Sequence, residues 1–125
     1  MTGLLIYRSE DNESFETPEG RMTPIFVNCH VSMIRLNLPS GIVVPAHSHR
    51  NNIVAMVLRG KLDISEGNAK ITVKEGDLFL IPGGNKVGIS NPYSSDAEIL
   101  SVTYPSPYSN IEELKERLRK FTHGG

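Results

Sequence analysis

Two of the four histidines, His47 and His49, stand two residues apart around Ser48, and they are the residues whose type and spacing most plainly suggest chemistry. On one strand, side chains two apart share a face with Cα atoms about 6.5–7 Å from each other, so both imidazoles can converge on one divalent ion. A protein metal site ordinarily offers three or more ligands, so the pair alone would hold an ion weakly. Asn51 and Asn52 lie close by as conceivable substitutes. His30 and Ser32 share the parity of Ile34 and Leu36, which places them on the inward face and makes His30 a candidate third imidazole. The alternative for His30 is a solvated edge position. With no third ligand, His47 and His49 read as polar anchors of a metal-free pocket. Cys29, the only cysteine, reads as a buried, inert thiol.

The elements that must position these residues are mostly strands. Eleven glycines and eight prolines punctuate short runs rich in Val, Ile, Leu and Thr, the texture of an all-β chain with frequent turns. Met33 to Leu38 alternates, with Ile34, Leu36 and Leu38 on one face and Arg35 and Asn37 on the solvated or interfacial one. Further strands are expected at 42–49, 53–58, 61–64, 69–73, 78–81, 86–90 and 98–104, giving eight to ten in all. The first three of these follow one another so quickly that antiparallel neighbours are expected. Ser65 to Asn68 reads as a hairpin loop. The exception is the C-terminal end. There Ser109 and Glu112 suggest a capping box, and Ile111, Leu114, Leu118 and Phe121 fall at helical spacing, supported by Glu113/Arg117 and Glu116/Lys120 pairs. A helix of about three turns over 110–121 should cap the strands or lie across a subunit contact.

The turn residues fall into two frames. Gly41 precedes His47, Ser48 and His49 and is followed by Gly60; then come Gly76, Pro82, Gly84 and Asn91. The order and separations resemble the two signature motifs of the cupin family, and the frames with their connecting hairpin cover about half the chain. The resemblance implies one domain over 1–125, a double-stranded β-helix or jelly-roll barrel with its core at about 25–105 and a pocket inside. It also implies a site in which manganese, iron, nickel or zinc is held by two histidines and a glutamate from the first motif and a histidine from the second. His47 and His49 occupy the paired positions here, but Ile53 stands at the glutamate position and Val87 at the second-motif histidine position. Half the shell is therefore apolar, which favours a drier pocket and a metal-free or weakly metal-binding protein.

Two functions follow. One is a small-molecule-binding protein whose pocket contains His30, His47, His49, Ile53 and Val87. The other is a metal-dependent dioxygenase, isomerase or decarboxylase using His47, His49 and a substitute ligand. The sugar-sensing domain of a transcription regulator would need a second chain for its helix-turn-helix. A net charge of −1 gives no electrostatic reason to expect nucleic acid or an anionic membrane. Leu4, Leu5 and Ile6 are too short a run for a signal or spanning segment, and a single cysteine suits a reducing interior, so a cytoplasmic protein is expected. Cupins commonly dimerise through their sheets or a swapped N-terminal strand, and Leu4 to Tyr7 could serve in a homodimer.

Overall fold

The computed structural model describes residues 3–122. The alternating runs form ten strands in two antiparallel sheets. They are β1 (Phe15–Thr17), β2 (Gly20–Val27), β3 (Ser32–Leu38), β4 (Val43–His47), β5 (Asn52–Arg59), β6 (Lys61–Glu66), β7 (Ala69–Lys74), β8 (Leu78–Ile81), β9 (Val87–Ser90) and β10 (Ala97–Tyr104). The larger sheet has the order β1-β2-β3-β10-β5-β8 and the smaller β4-β9-β6-β7, the arrangement of a double-stranded β-helix. The strands begin at Phe15 rather than near residue 25, because β1 and β2 form a hairpin that extends the larger sheet.

Strands β4, β5 and β6 are not neighbours, contrary to the expectation from their short connections. β4 pairs with β9, β5 with β10 and β8, and β6 with β7 and β9. The chain crosses from sheet to sheet at each of these turns, and a period of two reports which face is buried but not which strand lies alongside. The hairpin at Ser65 to Asn68 does form, joining β6 to β7 in register.

Inward residues of both sheets make the core. Leu38 and Leu62 are completely buried among Leu36, Val44, Ala55, Val57, Val73, Ala97 and Ile99, each large side chain contributing about 1.5–3 kcal/mol by leaving water. Helix α1 (Ile111–Thr122) lays Leu114 and Leu118 on Phe15, Met22, Val27 and Ile34. Its cap sits one residue later than expected. The Asn110 side-chain oxygen accepts from the Glu113 N–H at 3.0 Å, and the Glu113 carboxylate accepts from the Ser109 N–H at 2.6 Å, so Asn110 holds the position assigned to Ser109. The surface ion pairs formed on α1 run three residues apart, Glu112 to Lys115 and Glu116 to Arg119.

On the outer face of the smaller sheet, Asp63 is buried under Tyr93. Its carboxylate accepts from the Tyr93 hydroxyl at 2.7 Å and the Thr72 hydroxyl at 2.9 Å, with the Lys70 ammonium at 4.0 Å. The Tyr93 hydrogen bond above all, then the Thr72 hydrogen bond and the Lys70 charge, holds this carboxyl below the usual carboxylate range against the opposing effect of burial. A depressed carboxylate stabilises the fold above its unfolded pKa, about 3.9, and that contribution disappears as pH falls through the folded value. Tyr93→Phe should therefore cost about 1.5 kcal/mol at neutral pH, with the gap to wild type narrowing below about pH 4. Urea melts at pH 7 and pH 3 check this; an equal gap at both would contradict it.

Candidate metal centre

His47 faces inward because β4 is irregular. Val44 pairs with Ile89 and His47 with Val87, so three residues on β4 match two on β9. Without this bulge, residues 44 and 47 would point to opposite faces; with it, both line the barrel. The bulge also leaves the Pro45 carbonyl 2.9 Å from His47 Nδ1. His49 lies past the strand, in the β4–β5 loop, so the two imidazoles do not meet through the pleat expected from their spacing. The loop turns them edge to face, with ring centroids 4.7 Å apart.

The loop carrying His49 is gripped by the glycines before β9. The Gly84 N–H donates to the His49 carbonyl at 2.8 Å, and the Gly83 N–H to the Asn52 side-chain oxygen at 2.9 Å. Gly83 lies so close to the Arg50 carbonyl that a Cβ there would collide with backbone. Asn51 donates to the Pro105 carbonyl. Asn51 and Asn52, considered as substitute ligands, thus use these side-chain groups to fix the loop.

His30 is not in the pocket. It lies exposed in the β2–β3 turn, where the Asn28 side chain accepts from its N–H, and strand parity does not extend past Ser32 where the pairing begins. The neighbouring Cys29 is exposed as well, not buried. Ile53 and Val87 both line the cavity, with Val87 directly beside His47 in the strand register.

A residue that sequence reasoning missed completes a triad. Glu19, in the β1–β2 turn, brings its carboxylate Oε1 to 3.1 Å from His47 Nε2, and ligand atoms of Glu19, His47 and His49 all lie within 4.8 Å of one another. The turn is dictated locally. Pro18 presets its φ, the Thr17 hydroxyl accepts from the Glu19 N–H at 3.1 Å and donates to the Gly20 carbonyl at 2.8 Å, and Gly20 takes φ 109°. A Cβ on Gly20 would sit 2.5 Å from the Asn37 carbonyl oxygen. The sequence Thr-Pro-Glu-Gly announces a turn, but nothing in it announces that the turn overhangs the barrel mouth.

The donor set fits a divalent cation. A carbonyl oxygen only accepts, so His47 Nδ1 carries a proton in that contact, which leaves Nε2 as the atom free to meet a metal ion. Among the described residues that buried Nε2 has no hydrogen-bond partner, although the lone-pair atom Glu19 Oε1 is 3.1 Å away. Two such atoms approach each other only around a proton or a metal ion. Cis ligands at about 2.1 Å from one ion are about 3.0–3.4 Å apart, which matches. Burial first, and then the neighbouring His47, lower the His49 pKa, with Glu19 partly offsetting them. The result favours the neutral imidazole that coordinates metal. Two imidazoles and one carboxylate leave positions for water or substrate, the pattern of open, reactive centres and not of closed structural ones.

The triad sits at the opening of a cavity of about 330 Å³ between the sheets. Its walls are mainly apolar, including Ile53, Ile81 and Val87, and α1 contributes Leu114 and Leu118.

A family model described as Cupin domain matches residues 35–103, more than half of the sequence, and the chain belongs to the cupin family. No curated protein matches it. Among solved structures it is similar to an RmlC-like cupin from Shewanella frigidimarina NCIMB 400 (17% identity, 86% of this chain and 94% of that one, TM-score 0.73). It is also similar to KdgF from a Halomonas species (14% identity, 81% and 94%, TM-score 0.73) and to a predicted oxalate decarboxylase from Thermotoga maritima (20% identity, 80% and 98%, TM-score 0.66). At these identities the likeness shows the fold. The family match begins after Glu19, so the carboxylate of the triad lies outside it.

Proposed function

We propose that this cupin is a metal-dependent enzyme that holds a divalent ion on Glu19, His47 and His49 and acts on a small molecule bound in the barrel cavity. The observation that carries this reading is the buried Nε2 lone pair of His47 facing the Glu19 carboxylate. Manganese, iron, nickel and zinc all suit two nitrogen donors and one oxygen donor. Such an ion would act as a Lewis acid towards substrate or water. The protein's own part is to fix the His47 tautomer through Pro45, to hold His49 neutral, and to keep one side of the site dry with Ile53 and Val87. Proteins of similar fold include a predicted oxalate decarboxylase and a DMSP lyase, DddQ, from Ruegeria pomeroyi, which lends the enzymatic reading support at the level of fold.

The other reading is a metal-free binding protein, favoured by the apolar walls of the cavity. Elemental analysis of protein purified without a metal-affinity column separates the two. Near-stoichiometric metal in the wild type, lost in the His47→Ala, His49→Ala double variant, is the expected result. A wild type that stays empty after incubation with each of the four ions would sink the metal-dependent reading.

We further propose a cytoplasmic homodimer. Leu78, Leu80 and Met56 expose apolar side chains on the outer face of the larger sheet, and Leu4 to Tyr7 are exposed within one chain, as expected of surfaces that a second copy covers. No helix among the described residues is long and apolar enough to cross a membrane.

A further inference from the structure

Four arginines that lie away from the cavity meet acids: Arg21 reaches Glu16, Arg35 and Arg59 reach Glu98, and Arg119 reaches Glu13 and Glu116. Arg50 and Arg117 differ. Both line the cavity, and among the described residues neither side chain has a hydrogen bond or an ion pair. They come from unrelated elements, the glycine-gripped β4–β5 loop and helix α1, yet line the same cavity from exposed positions. Among the described residues the only acid lining that cavity is Glu19, already against His47. Two guanidiniums without an acid partner at the rim of one cavity match a carboxylate, which each can meet with two parallel N–H donors.

A second set of polar groups lines the wall of the same cavity. Ser32 is 1% exposed and lines the cavity, and its hydroxyl makes no hydrogen bond among the described residues. Thr103 is its cross-strand partner on β10, and Ser101 follows on the same face of that strand. Neither of these hydroxyls has a hydrogen-bond partner among the described residues. Three adjacent hydroxyls on one wall of a largely apolar cavity, with Ser101 and Thr103 only half-buried, are available to a ligand's polar groups. They offer matching donors and acceptors to a row of ligand hydroxyls. At about 30 Å³ per small group, the volume suits a ligand of about ten non-hydrogen atoms.

From these observations we propose that the cavity takes a short hydroxylated carboxylate, its carboxylate held by Arg50 and Arg117 and its hydroxyls by Ser32, Ser101 and Thr103. This assignment rests on the cavity and metal centre proposed above.

The test uses three four-carbon probes on the full-length protein, loaded with whichever ion it retains: erythronate, butyrate, which lacks the added hydroxyls, and erythritol, which lacks the carboxylate. Titration calorimetry at millimolar probe should show erythronate binding about tenfold or more tighter than either of the others. Arg117→Gln and Arg50→Gln should each weaken erythronate by about tenfold while metal content stays the same. Ser101→Ala should narrow the preference over butyrate. Equal binding of erythronate and butyrate overturns the hydroxyl assignment. Unchanged erythronate affinity in the Arg50→Gln, Arg117→Gln double variant overturns the clamp and leaves the ion as the anchor. If none of the probes binds, the ligand class is wrong, whereas the metal reading stands or falls separately on elemental analysis.

Discussion

In Glu19→Gln, metal affinity should fall by at least about a hundredfold, since loss of even an outer-shell partner costs 10- to 100-fold, while the metal-free protein becomes as stable as the wild type or slightly more so. The two effects have one cause. Glu19 Oε1 and His47 Nε2 face each other at 3.1 Å, a contact that needs either a proton or a metal ion between them. A glutamine there loses the charge but gains an N–H that can donate to Nε2, a hydrogen bond worth about 1 kcal/mol. Isothermal titration with manganese or zinc and chelator-treated thermal melts measure both halves. If the metal-free variant is instead clearly less stable, the wild-type pair is a protonated salt bridge, and the argument for a cation from that contact fails.

The second large effect is expected from Asn91→Ala. Asn91 is completely buried at the β9–β10 turn, where its side-chain amide donates to the Leu38 carbonyl at 2.9 Å and the Ser95 carbonyl at 3.0 Å. Its side-chain oxygen accepts from the Tyr93 N–H at 3.1 Å, and its own backbone exchanges hydrogen bonds with Gly41 and Ile42. It therefore ties the end of the second frame to the start of the first. Alanine removes three hydrogen bonds and strands the buried Leu38 carbonyl, a loss of about 3 kcal/mol. That corresponds to a fall in Tm of roughly 10 °C for a chain of this size. Scanning calorimetry checks it, and a fall of only one or two degrees would mean that water replaces the amide.

The residues that made the barrel legible are those whose backbone role leaves little choice. Gly41, Gly60, Gly76 and Gly84 all take positive φ, and Asn91 joins the two frames, so their types and order carry the fold directly. The positions of Ile53 and Val87 on the cavity wall followed from the same frames. Other features depend on relations that no local rule contains. His30 lost its inferred place because it precedes the first paired residue of β3. Cys29, in the same turn, is exposed for the same reason. The β4, β5 and β6 runs looked like neighbours because their connections are short, yet jelly-roll strands change sheet across short turns. Glu19 was invisible because a turn sequence specifies its own shape and not what lies beneath it.

Glu19 also lies outside the stretch by which the chain is recognised. The family match covers residues 35–103, and the β1–β2 hairpin lies before them. The hairpin is packed in place, since β2 pairs with β3 and Phe15 and Met22 lie against α1 and the core, so the residue at its turn can change more freely than its strands. The scaffold and its reactivity are thus carried by different parts of the chain: Ile53 and Val87 give the cavity apolar walls, and the carboxylate comes from a turn outside the segment that marks the barrel.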